Sequence, residues 1–142
     1  PIDLIDTPKL VKKLPTYLTV EEIDRLLNIE IVDAFSARNK SILELLYSSG
    51  LRISELISLE FKNIDLNDCI IRVMGKGSKE RIVPINDVAI HYLKIYVKDY
   101  RKDLVKKEQN NYLYLNNHGK KMTRQGIFKM IKKQNNIDQV AS

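Results

Sequence analysis

Cys69-Ile70-Ile71-Arg72-Val73-Met74, then Gly75-Lys76-Gly77-Ser78-Lys79, then Arg81-Ile82-Val83-Pro84-Ile85 is the stretch that decides the fold class. Two runs rich in β-branched residues flank a turn whose glycines accept positive φ, which predicts an antiparallel β-hairpin. Pro84 has no amide hydrogen, so the second strand ends there or lies at a sheet edge. The pattern on both sides of this hairpin is helical.

Upstream, Ile53, Leu56 and Ile57 recur at helical spacing and predict a short helix. Before it, a helix over 34–48 carries Ile42, Leu43, Leu45 and Leu46 on more than one face, as a central, well-buried helix does, and Gly50 ends it. Thr19-Val20-Glu21-Glu22 forms a capping box, with Leu18 and Ile23 as a hydrophobic staple, and opens a helix over about 20–28. Downstream, one long helix over 87–105 aligns Ala89, Tyr92, Leu93, Tyr96, Val97, Tyr100 and Leu104, leaving Lys94, Lys98, Arg101 and Lys102 off that stripe. Tyr112–Leu115 predicts a short strand or extended turn entry. A last helix, from Thr123 to about Asn135, turns Ile127, Phe128 and Ile131 inward. The class is α+β, mainly helical with a small antiparallel sheet. Residues 1–16 hold three prolines and no clean period, so they read as an interdomain linker, with one domain over 17–142.

Composition narrows the function. Of the 142 residues, 44% are hydrophobic, enough for a real core. No apolar run is long enough to span a membrane. The single cysteine, Cys69, excludes an internal disulfide and a cysteine zinc cage, and fits a reducing, cytoplasmic compartment. His91 and His118 are far apart and make a poor metal signature. Residue 1 is proline rather than an initiator methionine, which points to a piece of a longer protein. The net charge of +6 favours a polyanion partner, although a lysine-rich surface would give the same value.

Three basic clusters sharpen that choice. In Gly50-Leu51-Arg52-Ile53-Ser54-Glu55-Leu56, Arg52 stands at a helix start, where free amides favour an anion, and Glu55 lies one turn on. A guanidinium there makes a bidentate phosphate clamp. On spacing alone, an ordinary surface ion pair fits better. At the hairpin tip, Lys76, Lys79 and Arg81 can follow a phosphate backbone, and a lysine there can protonate a leaving alkoxide. A solvated turn explains the same composition. In Met122-Thr123-Arg124-Gln125 with Lys129, Lys132 and Lys133, the first helical turn offers Arg124 and Gln125 as a recognition helix does. Lys129 and Lys132 continue the Gln125 face, and a solvated amphipathic helix accounts for them equally well.

Taken in order, these motifs resemble the Xer-type tyrosine recombinases of the phage integrase family. The resemblance rests on Gly-Leu-Arg52-Ile-Ser-Glu55-Leu, Lys76 24 residues later in Gly-Lys-Gly-Ser-Lys-Glu-Arg81, Val83-Pro84 and Met-Thr-Arg124-Gln, and covers nearly the whole chain. It implies the recombinase catalytic-domain fold and strand exchange in double-stranded DNA through a 3′-phosphotyrosyl intermediate, with no metal or cofactor. By that match Arg52 is the first catalytic arginine, Glu55 braces it, and Lys76 is the general acid on the leaving 5′-oxygen. Lys79, Arg81, Arg124, Gln125, Lys129 and Lys132 become DNA contacts, and other recombinase subunits become partners on DNA.

The family's His-x-x-Arg box is not found in these 142 residues, and no tyrosine follows such a box. The chain alone is therefore expected to be inactive, with an apolar patch exposed over 42–46 and 53–59 where further chain would pack. A non-catalytic duplex-DNA-binding remnant is the alternative. A basic RNA-binding protein is a third class, separated by preference for duplex DNA over structured RNA at equal salt.

Overall fold

The computed structural model describes residues 20–75, 77, 79–107 and 109–141, the side chains of Val20, Glu22, Ile23 and 135–141 excepted. The expected linker over 1–16, the capping box at Thr19 and the tip residue Lys76 lie outside the described residues.

Helix α1 spans Val20–Leu27 and α2 spans Ala34–Ser49. Asp33 starts α2: its carboxylate accepts the Ser36 amide at 2.8 Å, and the Ser36 hydroxyl oxygen accepts the Asp33 amide at 2.9 Å. This reciprocal cap satisfies amides that have no partner inside the helix. Gly50, at φ +69°, ends α2 by donating its amide to the Leu46 carbonyl at 3.1 Å. Helix α2 is central, as its two-faced apolar pattern predicts: Ile42, Leu43, Leu45 and Leu46 are all buried. Lys40, also buried, pairs with Glu44 at 2.8 Å and donates to the Leu27 carbonyl, which ties α2 to α1.

Helix α3 spans Ile53–Ile57, and a 3₁₀ turn over Phe61–Asn63 leads into a three-stranded antiparallel sheet. Its strands are β1 (Ile64–Asp65), β2 (Ile70–Met74) and β3 (Glu80–Pro84), in spatial order β1-β2-β3. Pro84 thus sits on an edge strand, opposite Ile70. Side chains alternate across a strand. Ile71, Val73 and Val83 therefore face the core, while Met74 and Ile82 lie exposed on the other face.

Helix α4 spans Asp87–Ile95, with the Asn86 side chain accepting the Ala89 amide at 2.9 Å. The long helix expected over 87–105 does not stay α-helical. It widens into a π turn over Tyr96–Tyr100 and tightens into a 3₁₀ turn over Arg101–Asp103. A π turn holds an extra residue, so every later side chain rotates around the axis. Arg101, expected off the packed stripe, is buried at 8% exposure, and Tyr100 is only half-buried.

Tyr112–Leu115 is the extended turn entry rather than a strand of the sheet; it makes single bridges, Tyr112 with Glu60 and Leu115 with Lys121. Gly119 closes this loop at φ +74°, where a Cβ would stand 2.9 Å from the Leu104 carbonyl. Helix α5 runs from Arg124 to Ala141, longer than the pattern ending near Asn135, and packs on α1 and α3. The apolar patch expected over 42–46 and 53–59 is not there. Ile42, Leu46, Ile53, Leu56 and Leu59 are each at most 3% exposed, because neighbouring helices of the same chain cover them.

Candidate nucleic-acid interface

Arg52 is held from both sides. Leu51 is 0% exposed and Ile53 3%, so the backbone between two core anchors points the intervening side chain outward. Its backbone is extended (φ −75°, ψ 151°), as at a helix N-cap, and starts α3. The guanidinium makes no hydrogen bond or ion pair with the described residues, so its five donors face solvent.

The resemblance implies support of Arg52 by Glu55; among the described residues the contact between them is with the Arg52 backbone and not with its guanidinium. The Glu55 carboxylate Oε1 accepts the Arg52 backbone amide at 2.8 Å and the Arg81 Nη2 at 3.3 Å. The carboxylate fixes the backbone that carries Arg52 and leaves the charge of Arg52 free. Helix α3 has only five residues, too few for aligned peptide dipoles to add much. Charge for an anion here comes from the guanidinium itself.

Arg81 reaches Glu55 because Val73 and Arg81 are paired across β2 and β3 and share the sheet face turned toward α3. Arg52, Glu55 and Arg81 are therefore one cluster. Beside it, a cleft of about 350 Å³ lies between α3, the 3₁₀ turn and β2, lined by Ser54, Glu55, Ser58, Lys62, Arg72 and Met74 among others. Arg72 pairs with Glu80 at 3.6 Å. Motif reading passed over Ser54, Ser58 and Arg72, and the signal that finds Ser54 and Ser58 is their i, i+4 spacing, from within α3 to its C-cap.

The remaining candidates lie on the hairpin and on α5. Lys79 is exposed at the hairpin, where the Gly75 amide donates to its carbonyl at 2.7 Å. Arg124, Gln125, Lys129 and Lys132 are exposed on α5. Thr123 caps that helix, its hydroxyl oxygen accepting the Gly126 amide at 3.0 Å. The Arg124 guanidinium lies 5.5 Å from the centre of the Phe128 ring, which lends it a resting place without using its donors.

His91 and His118 are both exposed, and the described residues hold no group of three or more histidines, cysteines or acids able to bind a metal. Two tyrosines are unfit as nucleophiles. Tyr96 donates its hydroxyl to the Leu113 carbonyl at 2.8 Å, and burial pushes its pKa up to about 12. The Tyr114 hydroxyl lies 2.7 Å from that of Ser41, and burial raises its pKa as well.

The sequence profile of the phage integrase family matches residues 16–140, and the chain belongs to that family. The tyrosine recombinase XerD of Oceanobacillus iheyensis is 49% identical over 129 residues, covering 90% of this chain and 43% of the relative. The XerD of Staphylococcus aureus strain N315 is 47% identical over 138 residues, covering 96% of this chain and 46% of the relative. The chain thus spans somewhat less than half the length of these curated relatives. Among solved structures, the XerA recombinase superposes with a TM-score of 0.69 at 27% identity, over 91% of this chain and 45% of that one. The XerH site-specific recombinase, bound to a palindromic difH substrate after cleavage, gives 0.68 at 27%, over 91% of this chain and 38% of that one.

Proposed function

We propose that this chain works as part of a site-specific tyrosine recombinase, which cuts and rejoins double-stranded DNA in the cytoplasm through a 3′-phosphotyrosyl bond. The observation that carries this reading is Arg52: exposed, anchored between two core residues, its amide locked by Glu55 and its guanidinium without a partner among the described residues. Such a group meets a phosphodiester with both donors of its fork and gains strength as charge builds in a pentacoordinate transition state. Lys76 is the general acid for the leaving 5′-oxygen. Lys79, Arg124, Gln125, Lys129 and Lys132 hold flanking backbone, and further recombinase subunits share the DNA. The kinship with XerD and the likeness to a recombinase described with its DNA substrate support this reading.

A full-length protein containing this segment, mixed with a nicked suicide duplex, tests it on a denaturing gel. A covalent protein–DNA band that Arg52→Ala and Lys76→Ala both weaken is expected. A 5′-bridging phosphorothiolate, with its better leaving group, restores the lysine variant and not the arginine variant. Equal rescue of both removes Lys76 from the general-acid role. Tight duplex binding with no covalent band favours the non-catalytic reading.

A further inference from the structure

The β2–β3 stem is held differently at its two ends. At the base, Ile71, Val83 and Ile85 are buried, and the Cys69 carbonyl accepts the Ile85 amide at 2.9 Å. Beyond the Val73–Arg81 rung, the described residues Met74, Gly75, Gly77, Lys79 and Glu80 are all exposed. Arg81 therefore ends the inward row at the position where apolar packing stops. Its one hydrogen-bond partner among the described residues is Glu55, on α3.

The pair is lopsided in burial. The Arg81 side chain is 52% exposed and that of Glu55 only 14%. If Arg81 swung out to a phosphate, the Glu55 carboxylate would stay largely desolvated with a single amide as partner. A charge left in that state is costly. We propose that Arg81 is a positioning residue rather than a phosphate ligand. Through Glu55 it pins the outer end of the hairpin stem to the start of the helix that carries Arg52. The activity consequence rests on the recombinase reading above, whereas the pin itself does not.

The experiment has two readouts on full-length protein. Without DNA, hydrogen exchange is followed at the Gly75 and Arg52 amides in wild type, Arg81→Ala and Arg81→Lys. Exchange at both amides rises in Arg81→Ala and returns toward wild type in Arg81→Lys. With a nicked duplex, Arg81→Ala slows covalent adduct formation roughly 10- to 100-fold, the scale of a small misplacement of reacting groups. Site affinity and its salt dependence stay as in wild type. Adding Arg81→Ala to Glu55→Gln slows the reaction no further, as expected when both changes break one contact.

Unchanged exchange in Arg81→Ala overturns the pin. So does a salt dependence shallower by about one phosphate contact, or multiplying defects in the double variant, because either makes Arg81 a DNA ligand in its own right. If wild type forms no adduct on any duplex while the exchange changes appear, the recombinase reading fails and the pin stands.

Discussion

Arg38 and Arg101 belong to the buried part of the molecule, Arg52 and Arg124 to its exposed surface, and the four guanidiniums are employed in opposite ways. Arg38 and Arg101 are 7% and 8% exposed. Arg38 donates to the Leu115 carbonyl at 2.9 Å and to the Asn39 side chain, while Arg101 donates to the carbonyls of Asn110, Tyr112 and Leu113. Both lie near a phenylalanine ring, Phe35 at 5.2 Å and Phe61 at 4.5 Å. Burial lowers the pKa of each. They stitch the 110–115 segment to the helices under it. Arg52 and Arg124 keep their donors in water, one between core anchors and the other over a ring. An arginine whose forks are filled by main-chain carbonyls belongs to the fold, and one that is anchored but unfilled is available to a ligand.

Substituting one member of each pair is the sharpest way to break this division. In the full-length protein, Arg52→Ala should slow DNA cleavage about a thousandfold, or ~4 kcal/mol of transition-state stabilisation, as when a preorganised electrostatic contact is removed. Its melting temperature should stay within a degree or so of wild type, since an exposed side chain without partners contributes little to stability. Single-turnover adduct formation and a thermal melt measure the two. A large drop in Tm would place Arg52 with the structural arginines.

Arg101→Ala should do the reverse. It leaves the carbonyls of Asn110 and Tyr112 without their donor and opens a void beneath Phe61. The expected loss is about 2–4 kcal/mol, set by buried charged hydrogen bonds that cannot be replaced. Urea unfolding of the chain reads it as a lower midpoint at constant slope. A midpoint equal to wild type would mean that water replaces the guanidinium.

The sequence distinguishes these arginines only in part. Features set by neighbours along the chain are legible: the hairpin, the edge position of Pro84, Gly50 as a stop, and the buried α2. Arg52, Lys76 and Arg124 are legible as candidates because their motifs keep a fixed order. What escapes reading depends on contacts far apart in sequence. The π turn at 96–100 shifts the helical phase, so Arg101 turns from the predicted surface into the core. Glu55 meets Arg81 across 26 positions, a distance no helical spacing encodes. Helix pairing also decides that α5 covers α3, where an exposed patch is the sequence-based expectation.

The buried region carries a pH signature. Tyr96 and Tyr114 stack with ring centres 5.3 Å apart, beside Arg38 and Arg101. Burial raises the folded pKa of Tyr96 to about 12 from 10.0, although the two guanidiniums pull it down. The unfolded chain thus releases this proton first. Stability is intact below pH 10 and falls as pH rises toward 12, by roughly 2–3 kcal/mol for a shift of about two units. Tyr114 adds a loss of the same sign. Alkaline unfolding followed by phenolate absorbance checks this. Tyr96→Phe should flatten the pH dependence while costing about 1 kcal/mol for the bond to Leu113. Reversible titration of all seven phenols near pH 10 in folded protein would mean that this core is open to water.

The smallest effects are expected on α5, and they test the exposed side of the comparison most finely. Arg52, Lys79, Arg124, Lys129 and Lys132 are the exposed cations assigned to backbone contacts. If all of them meet phosphates, binding of this chain to duplex DNA should weaken with salt at a slope of about −4 to −5 in log K against log salt. Removing one surface lysine releases about one counterion fewer, so Lys129→Ala or Lys132→Ala should each make the slope shallower by ~0.9. The change in affinity should be small at physiological salt and larger at low salt, because screening already weakens an exposed contact. Fluorescence anisotropy across a salt series measures both. Arg38→Ala, although it also removes a positive charge, should leave the slope unchanged in whatever fraction of the protein stays folded, because its guanidinium already donates to Leu115 and Asn39. A slope that falls equally for Arg38→Ala and Lys129→Ala would show that net charge, rather than placement of the cations, governs binding. The division between structural and ligand-facing arginines would then have no consequence for DNA.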